Sequence, residues 1–339
     1  MAKKILVVSE KSQDPTAIHK SFVDGFISNG CKTELFLSPT YPALIQKLSG
    51  KLSFVKSILQ KQTGNLLRKQ ANLSSFDAIF ILKGSFIDAE SIKDIKSQFT
   101  HLKILCFNPD SPFNKRVSPN SCREIIPFCD TFFFWSEAGL QNILNSGAKK
   151  AVHLPFAKDS RLIYPIVSPE GFKYDVSFIG NGDKERKVQL KLYAAAMVRS
   201  APDINIDIFG AKWNTSNFNV NVHVHGAQNG NNFLKTIGQS RININLLRLQ
   251  NKNSTNMRTF EIPGAGGFML HEASEEAQSI FLPDKEAAYF SNSEEFVDKI
   301  KFYIKKETSR QQIAQAGYQK TCLYDCSYQQ RAATIINTI

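Results

Sequence analysis

Asn256-Met257-Arg258-Thr259-Phe260-Glu261-Ile262-Pro263-Gly264-Ala265-Gly266-Gly267-Phe268-Met269-Leu270-His271-Glu272 is the stretch around which the chain is organised. It reads as a polar loop, a short helix, a glycine turn and a buried strand. Arg258 and Glu261 are three residues apart, so on a helix they share a face. Phe260 and Ile262 flank Glu261 and can anchor that face. The glycines end the helix and let the backbone bend or approach a ligand. A cation and a carboxylate at a strand-to-helix crevice suit a nucleotide, with arginine on phosphate and glutamate on ribose hydroxyls. An ordinary intrahelical ion pair beside a turn fits the spacing equally well.

The chain has 339 residues, too many for one ordinary core, so two domains are expected. With 42% apolar and 21% charged residues it has the composition of a folded, soluble protein. No apolar run is long enough for a membrane span. The N-terminal Ile5-Leu6-Val7-Val8 run stops at Glu10 and reads as a first strand rather than an export signal, so a cytoplasmic location is expected. Cys31, Cys106, Cys122, Cys129, Cys322 and Cys326 form no paired metal-binding spacing and read as reduced thiols; no metal site is expected. A net charge of +12 asks for an anionic partner: a phosphorylated small molecule, an anionic membrane or nucleic acid. Nucleic-acid signatures are missing, so that class is set aside.

In the first half, Ile5–Val8, a helix over 16–28 and Thr33–Leu37 make a βαβ unit with a parallel sheet. Its first loop is not glycine-rich, so it is no dinucleotide fingerprint. Strands at 77–82, 103–107, 129–135 and 151–154 complete a six-stranded Rossmann-like domain over 1–163. Residues 43–73 stand apart: six basic residues (Lys47, Lys51, Lys56, Lys61, Arg68, Lys69) interleave with leucines, and no acid occurs between Glu34 and Asp77. Gly50 and Gly64 read as breaks in this amphipathic segment. It is either a pair of ordinary surface helices or a face that grips an acceptor or meets an anionic membrane, where each basic residue adds roughly 1 kcal/mol. Asp110, in Asn108-Pro109-Asp110-Ser111-Pro112 after a parallel strand, is a candidate general base or a turn aspartate. Asp14 and His19, after the first strand, are further candidates for a catalytic base, although His19 reads first as an ordinary helix residue.

Beyond a linker at 164–173, strands at 175–179, 204–209, 220–224, 241–247, 268–270 and 287–290 form a second such domain over 174–320. Its first loop, Gly180-Asn181-Gly182-Asp183-Lys184-Glu185-Arg186-Lys187, enters a helix N-terminus, an anion site in principle. Arg186 and Lys187 in that first turn oppose the helix dipole, as expected if they meet a phosphate; a solvated basic turn fits equally well. Gly210 closes the next strand. Ser293 reads as the cap of a late helix, and helices over 308–318 and 326–338 end the chain.

Asp175-Val-Ser-Phe-Ile-Gly-Asn181, Arg258 through Leu270, Tyr289-Phe-Ser-Asn-Ser-Glu-Glu295, Ile313-Ala-Gln-Ala-Gly317 and Arg331 together resemble the CgeB-type glycosyltransferases, group-1-like enzymes of GT-B architecture. Asn108–Pro112, Cys129–Phe133 and His153–Asp159 are weaker echoes. The resemblance implies an α/β protein of two Rossmann-like domains facing across a cleft. The nucleotide-sugar would sit on the second domain and the acceptor on the first, with a final helix (321–339) crossing back. It implies metal-independent transfer from a nucleotide-diphosphate sugar to a glycan, lipid-linked glycan or protein. Glu261 takes the place of the second carboxylate of the group's E-x7-E pattern, the one that holds ribose. Eight residues earlier stands Asn253 instead of glutamate. Arg258, or Arg186 with Lys187, would clamp the diphosphate, with Gly180, Asn181, Gly210 and Asn256 around the donor. The departure at Asn253 leaves open a non-catalytic nucleotide-sugar-binding or regulatory protein in the same shell. A nucleotide-sugar epimerase would need converging acids and histidines that the sequence does not display.

Overall fold

The computed structural model describes residues 2–12, 17–70, 72–166, 171–214, 218, 221–323 and 326–339. The chain forms two compact units, Met1–Pro155 with Tyr328–Ile339, and Phe156–Ser327. Residues 156–163 and 321–327, expected with the first domain and the returning helix, therefore lie in the second unit.

In the first unit β1 (Lys4–Ser9), α1 (Ile18–Ser28), β2 (Lys32–Leu37), α2 (Ala43–Ser49), α3 (Ser53–Arg68), β3 (Ala78–Leu82), α4 (Ala89–Gln98), β4 (Lys103–Phe107), α5 (Ser121–Glu124), β5 (Thr131–Phe134), α6 (Leu140–Asn145) and β6 (Ala151–His153) follow one another. The sheet order is β2-β1-β3-β4-β5-β6 and every pairing is parallel. Ile5–Val8, Ala78–Ile81 and Ile104–Phe107 are fully buried, which is why these strands read as unbroken apolar runs.

The second unit contains β7 (Tyr174–Ile179), α7 (Lys184–Ser200), β8 (Ile206–Phe209), β9 (Val222–His225), α8 (Asn231–Gly238), β10 (Ser240–Asn245), α9 (Met257–Gly264), β11 (Met269–Glu272), α10 (Glu275–Ile280), β12 (Ala288–Phe290), α11 (Ser293–Lys305) and α12 (Glu307–Leu323). Its sheet, also parallel, runs β12-β11-β10-β7-β8-β9. The chain thus builds outward from β7 to β9, then returns to lay β10 on the other side of β7. Loops leaving β7 and β10 diverge to opposite faces, and the crevice between them is where open α/β sheets bind ligands. The core beneath is apolar: Leu190 and Met197 of α7 and Phe296 and Ile300 of α11 pack with Phe178, Ile244 and Phe290 from the strands.

The last helix, α13 (Tyr328–Ile336), belongs to the first unit. Its Tyr328 ring meets Phe22 of α1 edge-on at 5.0 Å, and Asn29 Nδ2 donates to the Gln329 carbonyl at 2.8 Å. Two local expectations fail. Asn292, not Ser293, caps α11, accepting from the amides of Glu294 and Glu295. Gly50 does separate α2 from α3, but Gly64 lies inside α3 and breaks nothing. Its role is closeness: a Cβ there would overlap Ser91 on α4.

Alanine favours a helix interior over glycine by about 1 kcal/mol. Overpacking against α4 outweighs this, so Gly64→Ala is expected to destabilise the first unit by about 1–3 kcal/mol. Urea unfolding checks this, and Ser91→Gly should recover part of the loss.

Candidate active site

The crevice of the second unit is built at the C-terminal ends of β7 and β10. Asn256 caps α9: its Oδ1 accepts from the Thr259 amide at 3.2 Å, and Thr259 Oγ1 accepts from the Asn256 amide at 3.2 Å. Asn256 Nδ2 also donates to Asn245 Oδ1 (2.9 Å) and the Leu246 carbonyl (3.1 Å). Its side chain is thus committed to joining β10 to α9, and it acts on the site as a brace. His271, fully buried on β11, bonds Thr259 Oγ1 through Nε2 at 2.8 Å and the Glu272 carbonyl through Nδ1. Burial pushes its pKa down to about 4, so the ring is neutral.

This brace sets the angle of α9, whose Arg258 and Glu261 form an ion pair one turn apart. Glu261 is buried, while Arg258 donates from Nε to the Ile179 carbonyl at 3.2 Å and lies over the Phe233 ring at 4.5 Å. The helix after β7 starts with Asp183, whose carboxylate accepts from the Arg186 amide at 2.9 Å. Asp183 also pairs with Arg248, just past β10, at 2.6 Å. Arg186 folds back toward the Asn181 carbonyl (3.3 Å), and its Nε is buried without a hydrogen-bond partner. Burial, together with the charges of Arg248 and Arg258, brings the Arg186 pKa down to about 10. Three guanidiniums therefore converge where β7 and β10 part, crowded enough to disfavour one another's charge. Such a site gains from an anion.

Other expected contacts have different roles. Gly210 is required by closeness, because a Cβ would overlap the Gly180 carbonyl. Trp213 Nε1 donates to that same carbonyl at 2.7 Å, and Asn181 Oδ1 accepts from the Ala211 amide at 2.9 Å, fixing the loop. Lys187 is half-buried in the first turn of α7, and Asn253 is exposed. Arg248 and Asp183 escaped the sequence reading. The signal for Asp183 was its place directly before a helix, and for Arg248 its place just past the strand that turns back across β7.

In the first unit, strand order reverses between β1 and β3, and Glu10, Lys83 and Ser85 follow those strands. Asp110, after β4, is paired with Lys83 at 2.9 Å. Burial disfavours the lysine charge, but the hydrogen bond and charge of Asp110, with Glu10 nearby, raise its pKa overall. A carboxylate held by an ammonium still has lone pairs to accept from a hydroxyl. Lys83 has a φ of 68°, a conformation a lysine rarely adopts. Ser85 Oγ donates to Glu10 Oε1 at 2.6 Å. Glu10, Tyr41, Lys56, Gln60 and Ser85 border a cavity of about 260 Å³. His19, in the first turn of α1, is buried on the helix's inner side, its Nδ1 3.4 Å from Ser9 Oγ, with an enclosed Nε2 and a pKa lowered by burial and Lys20; this places it in the packing rather than toward a substrate. Asp14 lies outside the described residues. Among the described residues no group of three or more His, Cys, Asp or Glu side chains could hold a metal ion.

Residues 186–337 match the family model described as glycosyl transferase-like. No curated protein matches the chain in sequence. Anabaena HepE in complex with UDP and glucose has a similar structure, with TM-score 0.68, 11% identity and 99% of both chains covered. The fold is GT-B. A glycosyltransferase from Rickettsia africae shares it, with TM-score 0.66, 13% identity and 99% and 97% of the two chains covered. A putative UDP-N-acetylglucosamine 2-epimerase from Listeria monocytogenes shares it too, with TM-score 0.60, 12% identity and 98% and 95% covered. GT-B therefore admits more than one reaction, and the site must decide between them. CgeB-type membership has no support beyond the motifs that suggested it.

The buried brace makes a pH prediction. His271 has a folded-state pKa near 4, against an ordinary 6.5. The unfolded chain therefore binds the extra proton between those values, and stability falls as pH drops through that window. The loss attributable to His271 approaches about 3 kcal/mol near pH 4. Glu272, whose pKa burial raises, contributes the opposite slope. Comparison of wild type with His271→Asn isolates the histidine: the variant's thermal-unfolding profile should be flatter between pH 6.5 and 4.

Proposed function

We propose that the protein is a glycosyltransferase that takes its sugar from a nucleotide-diphosphate donor held by the second unit. The observation that carries this reading is the convergence of Arg186, Arg248 and Arg258 beside a buried Glu261 at the β7/β10 crevice. The guanidiniums suit a diphosphate, and Glu261 suits a pair of ribose hydroxyls. The ligand named for HepE, UDP with glucose, is of this chemical class. In this reading the arginines neutralise the diphosphate and transfer needs no metal. The acceptor, a glycan, lipid-linked glycan or protein, uses the cavity beside Glu10 and the Lys83–Asp110 pair in the first unit. The transferred group is a hexose or a close relative. The protein works in the cytoplasm, with peripheral contact to an anionic membrane through residues 43–73.

A second reading rests on one observation. Asn253 is an exposed amide where the E-x7-E pattern has a carboxylate facing the sugar. A non-catalytic binding protein would tolerate that loss. Release of free nucleotide from the donor, with and without acceptor, separates the two readings.

Thermal stabilisation by UDP-, GDP-, CMP- and dTDP-sugars tests the donor site. At a hundredfold over its dissociation constant, a ligand should add about 2.7 kcal/mol. Glu261→Ala and Arg248→Met should each weaken this response and leave the unliganded fold intact. No shift with any nucleotide would refute the donor site, and a shift abolished by chelator would refute metal independence.

A further inference from the structure

The outer surface of α2 and α3 is unlike the rest of the first unit. Helix α2 buries none of its side chains. Leu44, Leu48 and Leu52 recur every fourth residue and are exposed, Leu44 to 69%. They form one stripe, continued past α2 by the Leu52 amide bonding the Leu48 carbonyl at 2.8 Å. On α3, Phe54 and Ile58 are 62% and 60% exposed. With Lys61 they fall within an arc of about 60°, on the side away from the buried Gln60, Thr63, Gly64 and Leu67. Lys47 and Lys51 run beside the leucine stripe. Among the described residues Arg68 is paired with Asp94, whereas Lys47, Lys51, Lys61 and Lys69 form no ion pair.

Large apolar side chains held in water on adjoining helices mark a surface that is covered in use. The interleaved, unpaired lysines decide what covers it. An ordinary protein partner would need a complementary acidic face, and this chain offers no acid anywhere between Glu34 and Asp77 to pair with a second copy. An anionic bilayer satisfies both features at once. Lysines sit at the lipid phosphates with their stems along the interface, and leucine, phenylalanine and isoleucine enter the acyl boundary.

We propose that α2–α3 is a bilayer-docking wedge, in which Leu44, Leu48, Leu52, Phe54 and Ile58 insert among anionic lipids while Lys47, Lys51 and Lys61 hold the head groups. This deepens the functional reading above and rests on it only for the purpose of docking. The inner side of the same helices, through Gln46, Ser49, Lys56 and Gln60, borders the polar cavity at Glu10. Gln60 Nε2 ties α3 to the crevice by donating to the Ser85 carbonyl at 2.8 Å. Docking therefore brings the acceptor cavity to the lipid surface, which fits a lipid-linked acceptor. Residues 43–73 also cease to be a purely electrostatic contact: insertion predicts binding that salt weakens but does not abolish.

Co-sedimentation of the full chain with vesicles of phosphatidylcholine, alone or mixed with phosphatidylglycerol, tests the wedge. Binding to the anionic vesicles should be at least about tenfold stronger than to phosphatidylcholine. Part of it should persist at about 1 M salt, where screening reduces the Debye length to about 3 Å. The double variants Phe54→Glu/Ile58→Glu and Leu44→Glu/Leu48→Glu alter only exposed side chains, so unfolding should be unchanged while binding falls by about tenfold or more. Equal binding to both vesicle types, or undiminished binding by both variants, would overturn the proposal. So would a dimer in light scattering that these variants convert to monomer, since the face would then belong to a second copy. Donor-induced stabilisation measured on the same variants separates the two readings. Its retention with lost vesicle binding supports the wedge, while vesicle binding without any donor response refutes only the transferase.

Discussion

The site of the second unit depends on one crowded electrostatic arrangement. Arg186, Arg248 and Arg258 are drawn together over Asp183 and Glu261, at the single place in the sheet where neighbouring loops leave in opposite directions. Burial and mutual repulsion lower the Arg186 pKa, and its Nε has no protein partner. Arginine remains charged throughout the physiological range even so. The protein therefore keeps three like charges together over only two paired carboxylates, which leaves room for a further anion. The rigidity to do so comes from hydrogen bonds beneath that add no positive charge: Asn256 joined to Asn245 and Leu246, Thr259 to His271, and Glu272 Oε2 accepting the Leu247 amide at 2.9 Å. A neutral, buried histidine is well suited to that place, because it adds no further positive charge below the arginines.

Much of the fold was legible because parallel sheets covered on both faces impose uninterrupted apolar runs, as at Ile5–Val8 and Ala78–Leu82. The strand order was not legible, and it is the order that makes Arg248 matter. Nothing in Arg248 itself distinguishes it from a surface arginine; its place just past β10, beside β7, does. Gly64 shows the same limit from the packing side. A helix-breaking residue in sequence is, in space, a point of close contact between α3 and α4. Asn292 and Asp183 show it for caps: several polar residues precede each helix, and only the backbone decides which one is extended enough to reach the free amides.

The two carboxylate positions of the E-x7-E pattern now separate physically. Glu261 is buried and paired with Arg258. Asn253 sits eight residues earlier in a loop exposed to solvent. An amide donates and accepts hydrogen bonds but carries no charge to set against an oxocarbenium-like transition state. In the proposed reading, donor binding and sugar transfer draw on different parts of this chain. Binding rests on the β7/β10 crevice. In that reading, stabilisation of developing positive charge on the sugar comes from elsewhere than position 253, and the donor's own phosphates, held by the three arginines, are available for it. In the first unit Asp110 is committed to an ion pair with Lys83. Glu10 accepts from the Ser85 hydroxyl at the edge of the cavity, so in the proposed reading it joins Asp110 as a carboxylate of the acceptor site, one that the sequence did not single out.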